Sequence, residues 1–119
     1  MRLKLIAFSF LLLAISCSKN KEPNKICFTR TLNELKIKNN TSKTVYFAAF
    51  GESILPLIDW APGCVNNGMP ANSSVNKKLS EIPGYSNEEK LVVYWWECTA
   101  NKPGEIHSLL LNKYQEECQ

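Results

Sequence analysis

The five cysteines constrain the fold of this 119-residue chain more than any other feature of its sequence. They stand at positions 17, 27, 64, 98 and 118, so the last four are separated by 37, 34 and 20 residues. A four-cysteine zinc site normally has close pairs, about two to four residues apart, and these intervals do not fit one. Disulfides are therefore favoured, and the odd number gives one cysteine another role. The length allows one domain.

Residues 1–16 have the composition of an export signal. Arg2 and Lys4 precede an apolar run over residues 5–15, which only Ser9 interrupts. The run has 11 residues, whereas a helix needs about 20 to cross a bilayer. A basic start followed by a short apolar run is typical of a signal peptide rather than of a membrane-spanning helix.

The residues that end this run resemble the lipobox of bacterial lipoproteins: they are Leu13-Ala14-Ile15-Ser16-Cys17. The resemblance covers residues 1 to about 24. It implies that the Cys17 thiol receives a diacylglycerol, that the chain is cut before this residue, and that the new amino terminus is acylated. Such acyl chains anchor a protein on a membrane without spanning it. An ordinary secretory signal with a chance cysteine is the alternative.

The residues after Cys17 are those of a tether. Residues 18–25 are polar and contain no large apolar side chain, so they cannot bury a core. In the lipoprotein sorting rule of some double-membrane bacteria, aspartate after the lipidated cysteine favours the inner membrane, and Ser18 stands here instead. We therefore expect a signal peptide (1–16), a lipidated tether (17–25) and a folded domain (26–119), held in the cell envelope on the outer membrane.

Export to an oxidising compartment also predicts the state of the remaining cysteines. Without Cys17, an even set of four is left, and two disulfides are expected. Three pairings are possible, and cysteine spacing alone does not choose among them. The strand directions inferred below favour Cys64 with Cys98 and Cys27 with Cys118.

The first half of the domain shows the alternation of β-strands. Residues 35–39 alternate apolar and charged side chains, and residues 44–50 are rich in β-branched and aromatic side chains. The polar residues 40–43 form a turn between them, so a hairpin is expected. Because only the second strand is apolar on both faces, we expect it to be central and the first to lie nearer an edge.

Residues 51–72 contain three of the six prolines and predict an ordered loop. Residues 73–79 place Val75 and Leu79 on one face, and residues 90–98 are the clearest strand. A Pro-Gly turn then favours a hairpin whose second strand is 105–114, although the apolar residues there also fit one helical face. Together these segments predict an all-β domain: a small, disulfide-bonded antiparallel β-sandwich or partly open barrel of about five to seven strands.

The sequence offers little for catalysis. His107 is the only histidine, and its neighbour Ser108 points to the opposite face of a strand, so the two form no dyad. The sequence has no glycine-rich phosphate loop, no GxSxG and no HExxH. We therefore expect a protein that is not an enzyme and has no catalytic residue, cofactor or metal site.

The charge does not favour nucleic acid as a partner. The formal charge of +3 includes Arg2 and Lys4 of the signal, and 12 basic and 11 acidic side chains remain without them. Lys36 and Lys38 are interpreted as the solvated side of an edge strand, which they protect from pairing with other chains.

Residues 91–98 carry the most suggestive pattern for binding. Alternation places Val92, Tyr94, Trp96 and Cys98 on one face, and Leu91, Val93, Trp95 and Glu97 on the other. If the disulfide face is the core, Trp95 faces outward, and Trp60 from the long loop can join it in a ligand-contacting aromatic surface. The alternative is that both faces are buried in the centre of a sandwich.

Three functional hypotheses follow. The first is a membrane-anchored envelope lipoprotein that acts as a non-enzymatic binding or structural module for a protein or glycan partner. The second is a small lipoprotein inhibitor of a hydrolase, with residues 51–72 as the inserting element. An enzyme is the third and the least favoured.

Overall fold

The computed structural model describes residues 22–119, in which ten strands and two 3₁₀ helices are formed. Six strands have five to seven residues: β1 (Ile26–Arg30), β2 (Glu34–Asn39), β3 (Val45–Gly51), β5 (Ser73–Lys78), β6 (Leu91–Trp96) and β9 (His107–Leu111). Four are shorter: β4 (Gly68–Met69), β7 (Cys98–Thr99), β8 (Lys102–Pro103) and β10 (Glu116–Cys118). The 3₁₀ helices cover Glu52–Leu57 and Leu79–Glu81.

The strands form two open, four-stranded antiparallel sheets. Sheet 1 has the order β10-β1-β2-β5, sheet 2 has the order β4-β3-β6-β9, and β7 pairs with β8 in a small ribbon. The all-β class and the antiparallel sandwich are confirmed. The strand count exceeds the expected five to seven because the four shortest strands are too brief to leave an alternating pattern.

One hydrophobic core lies between the two sheets, because every long strand turns its apolar side inward. The rings of Phe28 and Trp95 meet across it with centroids 4.8 Å apart. The core side chains from the long strands are Ile26, Phe28, Leu35 and Ile37 of sheet 1, and Val45, Phe47, Leu91, Val93, Trp95 and Leu111 of sheet 2.

The predicted hairpin of residues 35–50 is wrong. Both strands exist, but β2 pairs with β1 and β5 in sheet 1, whereas β3 pairs with β4 and β6 in sheet 2. The chain therefore changes sheets at residues 40–44. The outward side chains fit this change of sheet: those of β2 are charged and suit a solvated surface, whereas those of β3 include Tyr46 and Phe50, which suit a covered one.

The prediction that β2 lies near an edge is also wrong, because it is flanked on both sides. Lys36 and Lys38 do point to the outer surface of sheet 1, where Lys36 is exposed and Lys38 is half-buried. Their charges thus solvate an outer face rather than protect an edge. The prediction that β3 is an interior strand is confirmed.

The second half of the domain follows the prediction more closely. The segment that fitted either a strand or a helix contains β9, which pairs with β6 from Leu91↔Leu111 to Trp95↔His107. The loop predicted for residues 51–72 is ordered but not free of secondary structure, since it contains a 3₁₀ helix and β4. None of the helices in the described part of the chain is long and apolar enough to cross a membrane.

Two disulfides join the four cysteines of the domain, in the pairing that the strand directions favoured. Cys27 and Cys118 are register partners on β1 and β10 of sheet 1. Cys64 and Cys98, with Cα atoms 6.1 Å apart, join the long loop to the end of sheet 2. Cys17 lies outside the described residues.

Candidate functional site

The outer surfaces of the two sheets differ in chemistry. Sheet 1 presents polar side chains from its two central strands and β5, among them Lys36, Asn76 and Lys78. Sheet 2 presents aromatic side chains, and we call the set Tyr46, Phe50, Tyr94 and Trp96 the aromatic face. An apolar outer face on a two-layer domain needs a cover or a partner.

A single segment covers the aromatic face. Residues 52–67, which we call the crossing loop, leave sheet 2 at Gly51, the last residue of β3. They reach the opposite end of the sheet, where Trp96 ends β6 and its indole Nε1 donates a hydrogen bond of 2.8 Å to the Gly63 carbonyl oxygen. The Cys64–Cys98 disulfide holds the loop at the same end. The loop is therefore attached at both ends of the sheet.

Trp60 of the crossing loop packs on the aromatic face. Its ring centroid lies 4.8 Å from that of Tyr94, 5.2 Å from that of Phe50 and 6.2 Å from that of Trp96. Tyr46 completes the cluster by stacking on Trp96 at 6.5 Å with a 15° interplanar angle. Tilted and offset pairs at such distances are attractive, so these rings form a half-buried aromatic cluster outside sheet 2.

The crossing loop turns other apolar side chains outward. Leu57, at the end of its 3₁₀ helix, is 83% exposed, and Val65, next to the disulfide, is 89% exposed. A shallow cavity of about 270 Å³ lies beside Val65 and is lined by Trp60, Asn66 and Trp96. Large aliphatic side chains gain free energy when a partner buries them. The loop thus combines attachment at both ends with exposed apolar side chains.

The predicted role of Trp95 is wrong, because its side chain belongs to the core. Trp95 is 7% exposed and packs on Phe28 from inside the sandwich. The face assignment was reversed: the Cys64–Cys98 disulfide does not mark the core but fastens the loop outside sheet 2. Trp96 therefore faces outward, yet the loop buries it.

Trp60 and Trp95 consequently lie on opposite faces of sheet 2 and cannot form one surface. Trp60 itself is half-buried on the aromatic face. The exposed residues Leu57 and Val65 were not predicted as contacts. The sequence could have indicated them, because Leu57 follows Pro56 and Val65 follows Cys64, and proline and disulfide-bonded cysteine both restrict the backbone of a loop.

His107 lies at the rim of a larger cavity, of about 500 Å³, at the end of the sandwich where the described chain begins and ends. Its ring stacks on Trp95 with centroids 5.5 Å apart. Glu97 and Glu105 line the same cavity, but within residues 22–119 neither carboxylate makes a hydrogen bond or ion pair with His107. Glu97 instead lies 3.8 Å from Lys43 Nζ. Among the described residues, no carboxylate is thus placed to orient the His107 ring.

Residues 22–119 contain no candidate metal site, because no three His, Cys, Asp or Glu side chains among them are grouped to hold an ion.

No protein-family model, curated protein or solved structure matches the chain. The functional interpretation therefore depends on the geometry described above.

Proposed function

We propose that this chain is a membrane-anchored lipoprotein of the bacterial cell envelope that acts as a non-enzymatic binding module. The observation that carries the binding role is the pair of exposed apolar side chains, Leu57 and Val65, on a loop attached at both ends of sheet 2. Attachment at both ends reduces the conformational entropy that such a loop has to lose when it binds. Aliphatic contacts of this kind suit a protein partner better than a glycan, which stacks on exposed aromatic rings.

The anchor rests on the lipobox-like sequence that ends at Cys17. The first strand begins at Ile26, and residues 22–25 before it are exposed, so a tether can join the sandwich there without disturbing its core. Replacing Cys17 with serine should move the protein from the membrane fraction to the soluble fraction, and should abolish palmitate labelling. Replacing Ser18 with alanine is the matched control and should leave both unchanged. An unchanged distribution of the Cys17→Ser variant would refute the anchor.

The binding role is tested by a photo-activated crosslinking residue placed at Val65, with the same residue at Lys36 on the polar outer face of sheet 1 as control. In the native envelope we expect an adduct of one defined mass from position 65 only. Adding Leu57→Ser to the crosslinking variant should remove that adduct. Equal adducts from both positions, or none from position 65, would exclude this loop as the binding surface.

A hydrolase inhibitor remains the second candidate, and one observation favours it. Val65 projects beside Cys64, whose disulfide limits how far the loop can move when it enters an enzyme cleft. The test is residual activity of envelope hydrolases, peptidoglycan-cleaving and proteolytic, mixed with the purified protein. Inhibition by the wild type that Val65→Asp abolishes would support this role, and a full panel without inhibition would oppose it.

A further inference from the structure

Arg30 occupies an unusual position at the end of β1. Its side chain points between the sheets and is 2% exposed. Guanidinium Nη1 donates a hydrogen bond of 3.0 Å to the Leu111 carbonyl oxygen, whereas the buried Nε finds no hydrogen-bond partner among residues 22–119. Buried polar groups are nearly always hydrogen-bonded, so an unpartnered Nε requires an explanation.

Arg30 forms no ion pair with the described residues. Among residues 22–119 no acidic side chain lies within 4.0 Å of its guanidinium, and the three ion pairs found there involve lysines. Glu88 accepts a hydrogen bond of 2.8 Å from Lys113, and Glu89 accepts one of 2.7 Å from the Ser53 amide. Burial lowers the pKa of Arg30, partly offset by Tyr85 and Glu89. Arginine nevertheless stays protonated in proteins, so among the described residues the buried guanidinium has no carboxylate in direct contact, and Glu89 acts on it only from beyond 4.0 Å.

Arg30 lines a cavity of about 180 Å³ at the end of the sandwich opposite the described termini. Tyr85, Asn87, Glu88 and Lys113 also line it, so hydrogen-bond donors and a second cation surround the space. A water molecule occupies about 30 Å³ in the liquid, so the cavity has room for a small anion with its solvent. With one carboxylate against two cations, the lining carries a net positive charge.

We propose that this cavity, the Arg30 pocket, binds a small oxyanion: a carboxylate or phosphate group, free or carried by a larger molecule. The guanidinium is the buried anchor and offers the donors that planar oxyanions accept. Lys113 is the rim cation, and Glu88, which is exposed, turns away when the anion takes its place beside Lys113. The pocket lies at the end of the sandwich opposite the crossing loop's disulfide.

Because the chain has only two arginines, NMR can observe the Arg30 side chain directly. Arg2 and Arg30 are the only arginines in the chain, so the Nε–Hε region of an NMR spectrum contains two side-chain signals at most. Arg30→Lys, which removes one signal, assigns it. The purified full chain is titrated with sodium phosphate, with sodium acetate, and with sodium chloride at equal ionic strength.

We expect a saturable shift of the Arg30 Nε–Hε signal with phosphate, acetate or both, and none with chloride. A response to phosphate alone assigns the site to phosphate groups, and a response to acetate alone assigns it to carboxylates. Lys113→Gln should weaken the apparent affinity about tenfold or more, as expected when a charged hydrogen-bond donor is lost. Lys36→Gln, on the outer face of sheet 1, should leave it unchanged.

A second measurement uses thermal stability. An anion that binds only the folded protein raises the melting temperature, so phosphate or acetate should stabilise the wild type but not Arg30→Met. If Arg30→Met does not fold, the wild-type titration alone decides. An Arg30 signal that neither anion moves, or that chloride moves equally, would refute the pocket and indicate a water-filled space only.

Discussion

Trp60 of the crossing loop and Tyr94 of β6 lie in contact outside sheet 2, with ring centroids 4.8 Å apart and planes inclined by 44°. This contact connects the crossing loop to the middle of β6, a central strand that is distant from the loop in the sequence. It covers part of the aromatic face, whose rings are half-buried except for the buried Trp96.

Replacing Trp60 with alanine should lower the free energy of unfolding by about 2 kcal/mol, because a half-buried indole loses its apolar burial and its ring contacts. Urea denaturation measures this. Tyr114→Ala is the matched control, since that residue is 68% exposed, and should change stability by less than about 0.5 kcal/mol. Equal effects of the two substitutions would show that Trp60 does not hold the loop.

Asn39 should be the most sensitive polar residue of the core. It is fully buried, and its Nδ2 donates to the carbonyl oxygens of Lys43 (2.8 Å), Met69 (3.0 Å) and Pro70 (3.1 Å). Asn39→Asp keeps the shape but sets a carboxylate against those carbonyls, so stability should fall by about 3 kcal/mol. Asn76→Asp, exposed on β5, is the control, and chemical denaturation of both variants gives the comparison. If Asn39→Asp leaves the free energy of unfolding unchanged, the hydrogen bonds of Asn39 do not have the importance proposed for them.

Gly51 should tolerate no side chain. A Cβ there would overlap the carbonyl oxygen of Gly84 and lie 2.9 Å from Glu89 Cγ. Gly51→Ala should therefore lower the free energy of unfolding by about 1–3 kcal/mol, which calorimetry detects as a lower melting temperature. Gly63→Ala is the control, because a Cβ there meets no atom within 4 Å. Melting temperatures that fall equally would remove the steric explanation.

The pair of Glu88 and Lys113 predicts a small dependence of stability on pH. A hydrogen bond from Lys113, together with its charge, lowers the pKa of the Glu88 carboxyl below the ordinary 4.5. The folded state therefore favours the carboxylate, so its contribution is complete above the ordinary pKa and is lost as pH falls through the lowered one. Both side chains are solvent-exposed, which keeps the contribution small.

An NMR titration of the Glu88 carboxyl measures that pKa directly. In Lys113→Gln it should return towards its ordinary value, whereas Lys102→Gln should leave it low. A Glu88 pKa that does not respond to Lys113→Gln would show that another group lowers it.

Strand positions were predictable because one-sided burial imprints a period of two on the sequence. Residues 35–39, 44–50 and 90–98 coincide closely with β2, β3 and β6 for that reason. The pairing of strands was less predictable, because it depends on which surface receives the outward side chains. The local sequence pattern does not show that the crossing loop, which follows β3, folds back over it. Without that information, pairing β2 with β3 in a hairpin was the simplest prediction.

The same long-range cover explains the errors at the candidate site. The sequence places Trp96 and Cys98 on one face, but which face is the core depends on where the partner of Cys98 lies. Because Cys64 belongs to the crossing loop, that disulfide marks the outside of sheet 2 and Trp95 the inside. The Arg30 pocket left no signal in the sequence, since an isolated arginine looks the same whether solvated or buried.

The joining of β1 to β10 has a mechanical consequence. Ile26 and Gln119 exchange backbone hydrogen bonds of 3.0 and 2.8 Å, and the next residue, Cys27, is covalently bound to Cys118. Tension applied to residues before Ile26 therefore reaches β10 through the Cys27–Cys118 disulfide. It also reaches β2 through the backbone hydrogen bonds that pair β1 with β2. A pull on the amino-terminal end is shared by both ends of the chain, so β1 cannot be peeled away from β10 until that bond is reduced.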